Sequence, residues 1–271
     1  MGMKRSVLIT LLTDFGLEDP YVGMMKGVIL TVNPGARIID ISHHVKAGSI
    51  IRAAGMIRET YPYFPEGTVH VTVVDPGVGG KRRAIILMVQ SHLFVGPDNG
   101  IFWPIINLHQ DIKIIHITET KYFLPDVSNT FHGRDIFAPV AAHLSKGTDP
   151  LEMGPTISDP VKLPLPASHQ KGGTLYGQVV SVDHFGNLIT NIHRKEIEEF
   201  AGDRTLVIWL QDLLIEGMRG TYAECGKGEI LGLFGSSGYL EIAVNLGRAS
   251  DLLGLDEAEI IGLEVEVRRG L

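Results

Sequence analysis

The sequence predicts an α/β protein in which a Rossmann-like, mostly parallel sheet domain is followed by a small antiparallel β-barrel domain. Three observations support this fold class. In the first half of the 271-residue chain, short apolar runs alternate with stretches of helical spacing. Two of those runs end in an aspartate, Asp14 or Asp75, on a glycine-containing loop. In the second half, short β-rich runs are separated by glycines and polar clusters, which is typical of small barrels.

The first half begins with an apolar run that predicts a strand, and the next stretch has helical spacing that ends at an Asn-Pro-Gly turn at residues 33–35. The last helix of this half starts at the acidic Asp135 and stops before Gly147. Continuous apolar strands with intervening helices predict a sheet that is covered on both faces. The predicted strands are residues 7–13, 36–41, 69–74, 84–89, 93–95 and 112–117, and the predicted helices are residues 21–32, 50–60 and 135–145.

The character of the chain changes after Pro160. Several prolines, followed by Lys171 and two glycines, predict an exposed linker. We place the domain boundary there, which gives an N-terminal domain of residues 1–167 and a C-terminal domain of residues 168–271. The predicted strands of the second domain are residues 175–183, 206–210, 230–234, 239–244 and 260–267.

Composition narrows the function classes. The chain is 44% hydrophobic and 20% charged, as expected for a globular protein with a sizeable core. Its net charge of -7 argues against nonspecific nucleic-acid binding and favours a neutral or cationic ligand. The single cysteine, Cys225, cannot form an internal disulfide, so we expect a reducing, cytoplasmic compartment. No apolar run reaches the ~18 residues of a membrane span, so no membrane partner is expected.

The strongest candidates for chemistry lie where strands end. Asp14 and Asp75 each follow a predicted strand, and the carboxyl ends of neighbouring parallel strands meet at one crevice. Arg82 follows Asp75 on the same loop, and His132 lies in a loop that enters a helix. Each residue also has a structural interpretation. A strand-end aspartate often caps a turn, and a lone histidine at a helix start is more often a capping or packing residue.

Other patterns exclude common sites. No Gly-x-Gly-x-x-Gly fingerprint follows the first strand, so a nicotinamide cofactor is not expected. The segment from Gly235 to Gly238 is one residue too short for a nucleophile elbow. His43 and His44 are adjacent and would face opposite ways in a strand, and no Cys cluster is present, so no metal site is expected. The turn at residues 183–187 has hairpin composition. The residues alone therefore predict an α/β protein with a small-ligand crevice.

Six segments taken together resemble the S-adenosyl-L-methionine hydroxide adenosyltransferase family, which is related to the fluorinases and chlorinases. The matching segments are residues 12–16, 73–79 with Arg82, 96–100, 130–135, 185–187 and 236–243. The resemblance implies a Rossmann-like domain, a β-barrel domain and a homotrimer with substrate between subunits. It also implies attack of water on C5′ of S-adenosylmethionine, which gives adenosine and methionine without a further cofactor.

The resemblance assigns roles residue by residue. The implied catalytic residues are Asp75, Arg82 and His132, with Arg83 as the alternative arginine. Asp14 would bind the ribose hydroxyls, as suits a carboxylate facing two donors. The remaining implied substrate-binding residues are Asn99 on the adenosine side, Asp183, Asn187 and Ser236 toward the methionine amine or adenine, Phe185 packed on adenine, Val244 and Leu246 through their backbone, and Glu241, a weaker candidate that could instead face solvent.

One departure separates the hydrolases from the halogenating members, which resemble this chain but have an aromatic hydroxyl in place of Asp75. A carboxylate there would repel a halide, whereas it can accept a proton from water. Ser237 stands where the fluorinase has an arginine, which leaves recognition of the methionine carboxylate open. Three alternatives remain: a binding module for adenosine or S-adenosylmethionine without significant turnover, a halogenase, and a metal-dependent phosphohydrolase.

Overall fold

The structure is a computed structural model that describes residues 8–270, so Val7, the predicted start of the first strand, lies outside the described residues. The chain divides into two compact units, Met1–Pro164 and Leu165–Leu271. Each unit has its own sheet and its own buried core.

The first unit alternates strands and helices, as its apolar runs predict. Its strands are β1 (Leu8–Thr13), β2 (Arg37–Ser42), β3 (Val69–Val73), β4 (Ala84–Val89), β5 (His92–Pro97), β6 (Ile112–His116) and β7 (Thr156–Ile157). Its helices are α1 (Tyr21–Val32), α2 (Ile50–Thr60), α3 (Trp103–Ile106), a π-helical turn (Gly133–Phe137) and α4 (Ala138–Ser145), with 3₁₀ turns at Tyr61–Tyr63, Thr120–Tyr122 and Pro150–Met153.

The sheet of this unit has the strand order β2-β1-β3-β5-β4-β6-β7. Strands β2, β1, β3, β5 and β6 run in one direction, and β4 and β7 run against them. The prediction of a mostly parallel sheet is therefore confirmed. Two buried clusters flank β1. Ile9 and Leu11 pack with residues of α1 and α4, whereas Leu12 packs with Ala53 and Ile57 of α2.

The second unit is rich in antiparallel strands. Its strands are β8 (His169–Lys171), β9 (Thr174–Val182), β10 (Leu188–His193), β11 (Leu206–Leu210), β12 (Leu213–Glu216), β13 (Met218–Arg219), β14 (Ile230–Phe234), β15 (Tyr239–Val244) and β16 (Glu264–Arg269). Its helices are α5 (Arg194–Ala201), α6 (Ala249–Leu253) and α7 (Glu257–Ile260), with a 3₁₀ turn at Tyr222–Glu224. The order β12-β11-β16-β9-β10-β15-β14-β13 forms a barrel-like sheet, which confirms the predicted fold class.

Three local predictions were wrong. The predicted strand at residues 260–267 begins only at Glu264, because Asp256 and Glu259 form a capping box that starts α7. The glycines after Lys171 are not part of a linker but form the turn that pairs β8 with β9. The helix predicted for residues 135–145 begins instead with a π-helical turn at Gly133–Phe137, and the α-helix α4 starts only at Ala138.

Candidate active site

The parallel pairing of β1 with β3 brings two acidic loops to the same sheet edge. Thr13 lies opposite Val73, and Asp14 and Asp75 follow these strand ends. Because side chains after the carboxyl ends of neighbouring parallel strands share one crevice, this edge is where an open α/β sheet binds ligands. Asp14 is half-buried, and the side chain of Asp75 is 5% exposed.

Arg82 joins Asp75 to His132. Its Nε donates to both carboxylate oxygens of Asp75, at 3.0 and 2.9 Å, and its Nη2 lies 2.5 Å from Oδ2. The same Nη2 lies 2.7 Å from Nδ1 of His132. The guanidinium also sits 5.3 Å from the ring centroid of Phe137. With 11% of its side chain exposed, Arg82 holds a carboxylate and an imidazole in one largely desolvated group.

The contact with Arg82 fixes the tautomer of His132. An arginine side chain only donates hydrogen bonds, so Nδ1 of His132 must accept, and the hydrogen of the neutral ring lies on Nε2. Burial lowers the pKa of His132, and the charge of Arg82 lowers it further, against the opposing effects of Asp75, Asp135 and a hydrogen bond with the backbone of Ser128. His132 is therefore a neutral ring that presents an N–H donor at Nε2.

The loop before His132 is held by the fully buried Asp135. Its Oδ2 accepts hydrogen bonds from the backbone N–H and the hydroxyl of Ser128, both at 2.8 Å, and its Oδ1 accepts from Nε of Arg134 at 2.6 Å. Burial alone would raise the pKa of Asp135, but the hydrogen bonds from Arg134 and Ser128 outweigh it and lower the pKa. Asp135 is thus a structural acid that shapes the π-helical turn, a feature frequent at functional sites.

The loop that carries Asp75 and Arg82 touches the loop that carries His132 through a glycine. Gly79 has φ +74°, and a Cβ there would lie 2.2 Å from the carbonyl oxygen of Asn129. Only a residue without a side chain allows this approach.

Arg83, the alternative catalytic arginine, points to other partners. Its Nε donates to Oδ2 of Asp98 at 2.8 Å, and its Nη1 donates to Oδ1 of Asp159 at 2.8 Å. The side chain of Asn99 also makes a structural contact, because its Nδ2 donates to the carbonyl of Val74 at 2.8 Å. Asn99 therefore fixes the end of the strand that precedes Asp75.

The Asp14 loop is held by side-chain and backbone contacts to His43 and Gly48, to which the sequence analysis assigned no such role. Oγ1 of Thr13 lies 2.8 Å from Nδ1 of His43, and the backbone N–H of Gly16 donates to the carbonyl of His43 at 2.8 Å. Oδ2 of Asp14 accepts from the N–H of Gly48 at 2.8 Å. The sequence signal for His43 is its position directly after β2, because a side chain that follows a strand end lies near the ligand-binding edge of the sheet.

An aromatic group connects the Asp14 loop to the His132 loop. The ring centroids of Phe15 and Phe131 are 5.7 Å apart, and Tyr21 lies 6.0 Å from Phe15 and 5.2 Å from Phe131, all edge-on. Asp14, Asp75, Arg82 and His132 thus lie on loops that are tied together by direct contacts.

In the second unit, Asp183 and Asn187 close the hairpin between β9 and β10. Oδ1 of Asp183 accepts from the backbone N–H of Asn187 at 2.8 Å, and Oδ2 accepts from its side-chain amide at 2.9 Å. At the tip of the turn the ring of Phe185 is 71% exposed. An aromatic side chain that is exposed at a hairpin turn is suited to stacking on a flat ligand.

Glu241 faces inward, so the alternative that it faces solvent was wrong. It is 6% exposed, and its Oε1 accepts a hydrogen bond of 2.5 Å from the hydroxyl of Tyr222. Burial raises the pKa of Glu241, against the Tyr222 hydrogen bond and with help from the charge of Asp183. Sequence reasoning also missed Tyr222, whose place in a short 3₁₀ turn gave no signal.

The other candidates of the second unit lie on or beside β15. Ser236 is exposed in the turn between β14 and β15, and Val244 is buried at the end of β15. Leu246 is 79% exposed and has φ +55°, an uncommon backbone conformation for a leucine.

Two properties of the described residues bear on other functions. Within residues 8–270, no three His, Cys, Asp or Glu side chains are grouped so that they could hold a metal ion. Nor do the same residues include a helix with the length and apolar character of a membrane span.

Comparison with known proteins gives matches over both units. Residues 9–154 match the sequence profile of the SAM hydroxide adenosyltransferase N-terminal domain, and residues 177–261 match that of the C-terminal domain. A protein of Salinispora tropica named (R)-S-adenosyl-L-methionine hydrolase is 38% identical, over 93% of this chain and 96% of the relative. A protein of the same name from Thermus thermophilus is also 38% identical, over 91% and 95%.

Structural and more distant matches agree in coverage. The crystal structure of an uncharacterized conserved protein from Thermotoga maritima superposes with a TM-score of 0.89 at 36% identity, over 96% of this chain and 100% of that one. Proteins named fluorinase are more distant, and one from an Actinoplanes species is 30% identical over 90% of this chain and 93% of its own.

Proposed function

The chain belongs to the SAM hydroxide adenosyltransferase family, and we propose that it is a hydrolase that converts S-adenosyl-L-methionine and water into adenosine and L-methionine. The observation that carries this function is the group in which Arg82 binds Asp75 and His132 at once. It offers an acceptor and a donor for one small polar molecule, beside a second carboxylate at the same sheet edge.

The substrate sets what this group has to do. The sulfonium of S-adenosylmethionine is already a good leaving group, so no general acid is needed. The difficulty lies in the nucleophile, because neutral water must be oriented in line with the C5′–S bond and lose a proton as it attacks. The O–C5′ bond forms, the C5′–S bond breaks with its electrons going to sulfur, and methionine leaves as a neutral thioether.

We assign the proton acceptor role to Asp75. Its two oxygens accept three hydrogen bonds from Arg82, and a carboxylate offers about four acceptor positions, so one remains for water. His132 donates from Nε2 and orients the water oxygen, and Arg82 sets the direction of both partners. A positioned general base typically contributes ~10²–10⁴ in rate, and orientation adds to it.

The same proposal extends to substrate binding. The backbone N–H of Gly48 fixes Oδ2 of Asp14, and Oδ1 of the same carboxylate accepts hydrogen bonds from the ribose hydroxyls. Asn99 acts on the adenosine side by holding Val74. Phe185 packs on adenine with its exposed ring. The remaining assignments are Asp183, Asn187 and Ser236 toward the methionine amine or adenine, Glu241 as a buried support of that side, and Val244 and Leu246 through their backbone groups.

We also propose that the protein is a homotrimer that binds substrate at the subunit interface. We expect it to be cytoplasmic and to use no cofactor. The domain boundary lies between residues 167 and 168. The family supports the assembly, and the single Cys225 supports a reducing compartment. Light scattering after gel filtration measures the mass of the assembly directly.

The test of function is incubation of the purified protein with S-adenosylmethionine, followed by chromatography for adenosine and methionine in equal amounts. Parallel reactions contain fluoride, chloride or a chelator. Halide-dependent 5′-halo-adenosine would show a halogenase, and loss of activity with chelator would show a metal-dependent enzyme. Tight adenosine binding without any product would show a binding module.

A further inference from the structure

The buried residue His43 makes two hydrogen bonds to the Asp14 loop. Its side chain contacts the hydroxyl of Thr13, and its carbonyl accepts the N–H of Gly16, so it brackets Asp14 on both sides. His43 is 2% exposed and Thr13 is fully buried. We propose that His43, acting through the hydroxyl of Thr13, is a positioning residue that sets the orientation of the Asp14 carboxylate for the substrate's ribose. This inference rests on the proposed function.

The hydrogen-bond roles follow from the donors present. Oγ1 of Thr13 accepts from the N–H of Phe15 at 3.3 Å, which leaves the hydroxyl hydrogen to be donated to Nδ1 of His43 at 2.8 Å. A neutral imidazole that accepts at Nδ1 carries its hydrogen on Nε2. Oδ1 of Asp40 lies 3.1 Å from that nitrogen, close enough to attract the hydrogen although the alignment is poor.

A register shift between β1 and β2 determines the position of His43. The register between β1 and β2 shifts so that Leu11 faces Asp40 and Leu12 faces Ser42. An extra residue of this kind redirects the side chains that follow it and is common next to active sites. Asp40 is fixed in turn by Nζ of Lys26 at 2.6 Å. Although burial raises the pKa of Asp40, Lys26 and His43 together lower it.

The consequence for Asp14 is geometric. Its Oδ2 is tied to Gly48, so the direction of Oδ1 depends on the backbone of the loop from Thr13 to Gly16. Two vicinal hydroxyls are bound well by a carboxylate only when its plane is held in a narrow range of angles. Loss of the Thr13–His43 contact frees that loop without removing the carboxylate.

The chain contains a matched control three residues earlier on the same strand. Oγ1 of Thr10 also lies 2.8 Å from a histidine Nδ1, that of His70, and both residues are fully buried. This pair joins the inner strands β1 and β3, and the side-chain hydrogen bonds of Thr10 and His70 involve no residue of the Asp14 loop. It reproduces the buried Thr–His contact without the proposed role.

The experiment compares Thr13→Val, Thr13→Ser and Thr10→Val in the full chain. Each protein is assayed for kcat and KM with S-adenosylmethionine, and its affinities for adenosine and 2′,3′-dideoxyadenosine are measured by calorimetry. We expect Thr13→Val to raise KM and weaken adenosine binding by about 3–10-fold, the equivalent of one hydrogen bond, with kcat changed less than about twofold. Binding of the dideoxy compound stays unchanged, and Thr13→Ser restores the wild-type values.

Thr10→Val is expected to lower the melting temperature while keeping the wild-type KM. The inference is overturned if Thr13→Val keeps the wild-type KM and adenosine affinity, if it weakens both nucleosides equally, or if Thr10→Val raises KM as much. His43→Ala provides a second measurement should Thr13→Val fold poorly, with the same criteria. If the wild type neither turns over S-adenosylmethionine nor binds adenosine, the proposed function fails first, and the inference falls with it.

Discussion

The Nη2 atom of Arg82 donates hydrogen bonds to both Asp75 and His132. Its Nη2 lies 2.5 Å from Oδ2 of Asp75 and 2.7 Å from Nδ1 of His132. Because the guanidinium is planar and always charged, the carboxylate and the imidazole are held at fixed directions from one rigid group. The spacing of Asp75 and His132 is therefore a property of Arg82 rather than of either loop alone.

Replacing Arg82 with lysine keeps the charge but removes the fork. A lysine ammonium is a point charge that cannot hold both oxygens of Asp75 and Nδ1 of His132 in the same geometry. We expect Arg82→Lys to lower kcat by about tenfold or more and to change KM less. The control is Arg268→Lys, because Arg268 pairs with Glu266 on β16 in the other unit. Equal activity of both variants would contradict the proposal.

Asp75→Asn tests the proton acceptor. The amide has nearly the same shape but cannot take a proton from water, so we expect kcat to fall by about 10²–10⁴-fold with KM largely kept. Adenosine affinity measured by calorimetry serves as the control for folding and binding. Turnover within a few-fold of the wild type would show that the proton goes elsewhere.

The pH profile reports on His132. Its folded pKa is lowered from the ordinary 6.5, chiefly by burial and then by Arg82, and only the neutral ring can accept from Arg82 at Nδ1. We therefore expect kcat/KM to be constant above pH 6.5 and to fall as the pH drops through the lowered pKa. His132→Gln, assayed over the same range, should lose this dependence. A profile that fell already above pH 6.5 would rule out this assignment.

Much of the fold could be predicted because its signals are local. The helix at Tyr21–Val32 and the strand at Ala84–Val89 have the predicted bounds, since each is set by apolar spacing and by turn residues at its ends. The capping box of Asp256 and Glu259 is also a local signal, and overlooking it made residues 260–267 a predicted strand.

The site is different, because its contacts join residues distant in sequence. Arg82 and His132 are 50 positions apart, and Thr13 and His43 are 30 apart. Spacing could not decide between Arg82 and Arg83, which are neighbours that point to different carboxylates. Nor could it show that Glu241 faces inward, because this depends on Tyr222 from another segment.

Gly79→Ala tests the contact between the two catalytic loops. The new Cβ would meet the carbonyl of Asn129 at 2.2 Å in a backbone conformation with φ +74°. We expect a loss of about 2–4 kcal/mol in the free energy of unfolding, together with lower kcat because the loops separate. Gly172→Ala is the matched control, since its φ is +58° but no atom lies within 4 Å of the new Cβ. It should cost about 1–2 kcal/mol and leave kcat unchanged.

The buried pair of His70 and His92 predicts how stability depends on pH. Burial, and then the charge of His92, lowers the pKa of His70 from 6.5 to about 3. Between pH 6.5 and about 3, the unfolded chain therefore binds a proton at His70 that the folded chain does not. As the pH falls through this window, the free energy of unfolding decreases, because protons favour the state that binds more of them. One such group changes the free energy of unfolding by at most about 1.4 kcal/mol per pH unit. Urea unfolding of wild type and His70→Gln from pH 7 to pH 4 should show a shallower dependence in the variant, and identical slopes would assign the acid sensitivity to other groups.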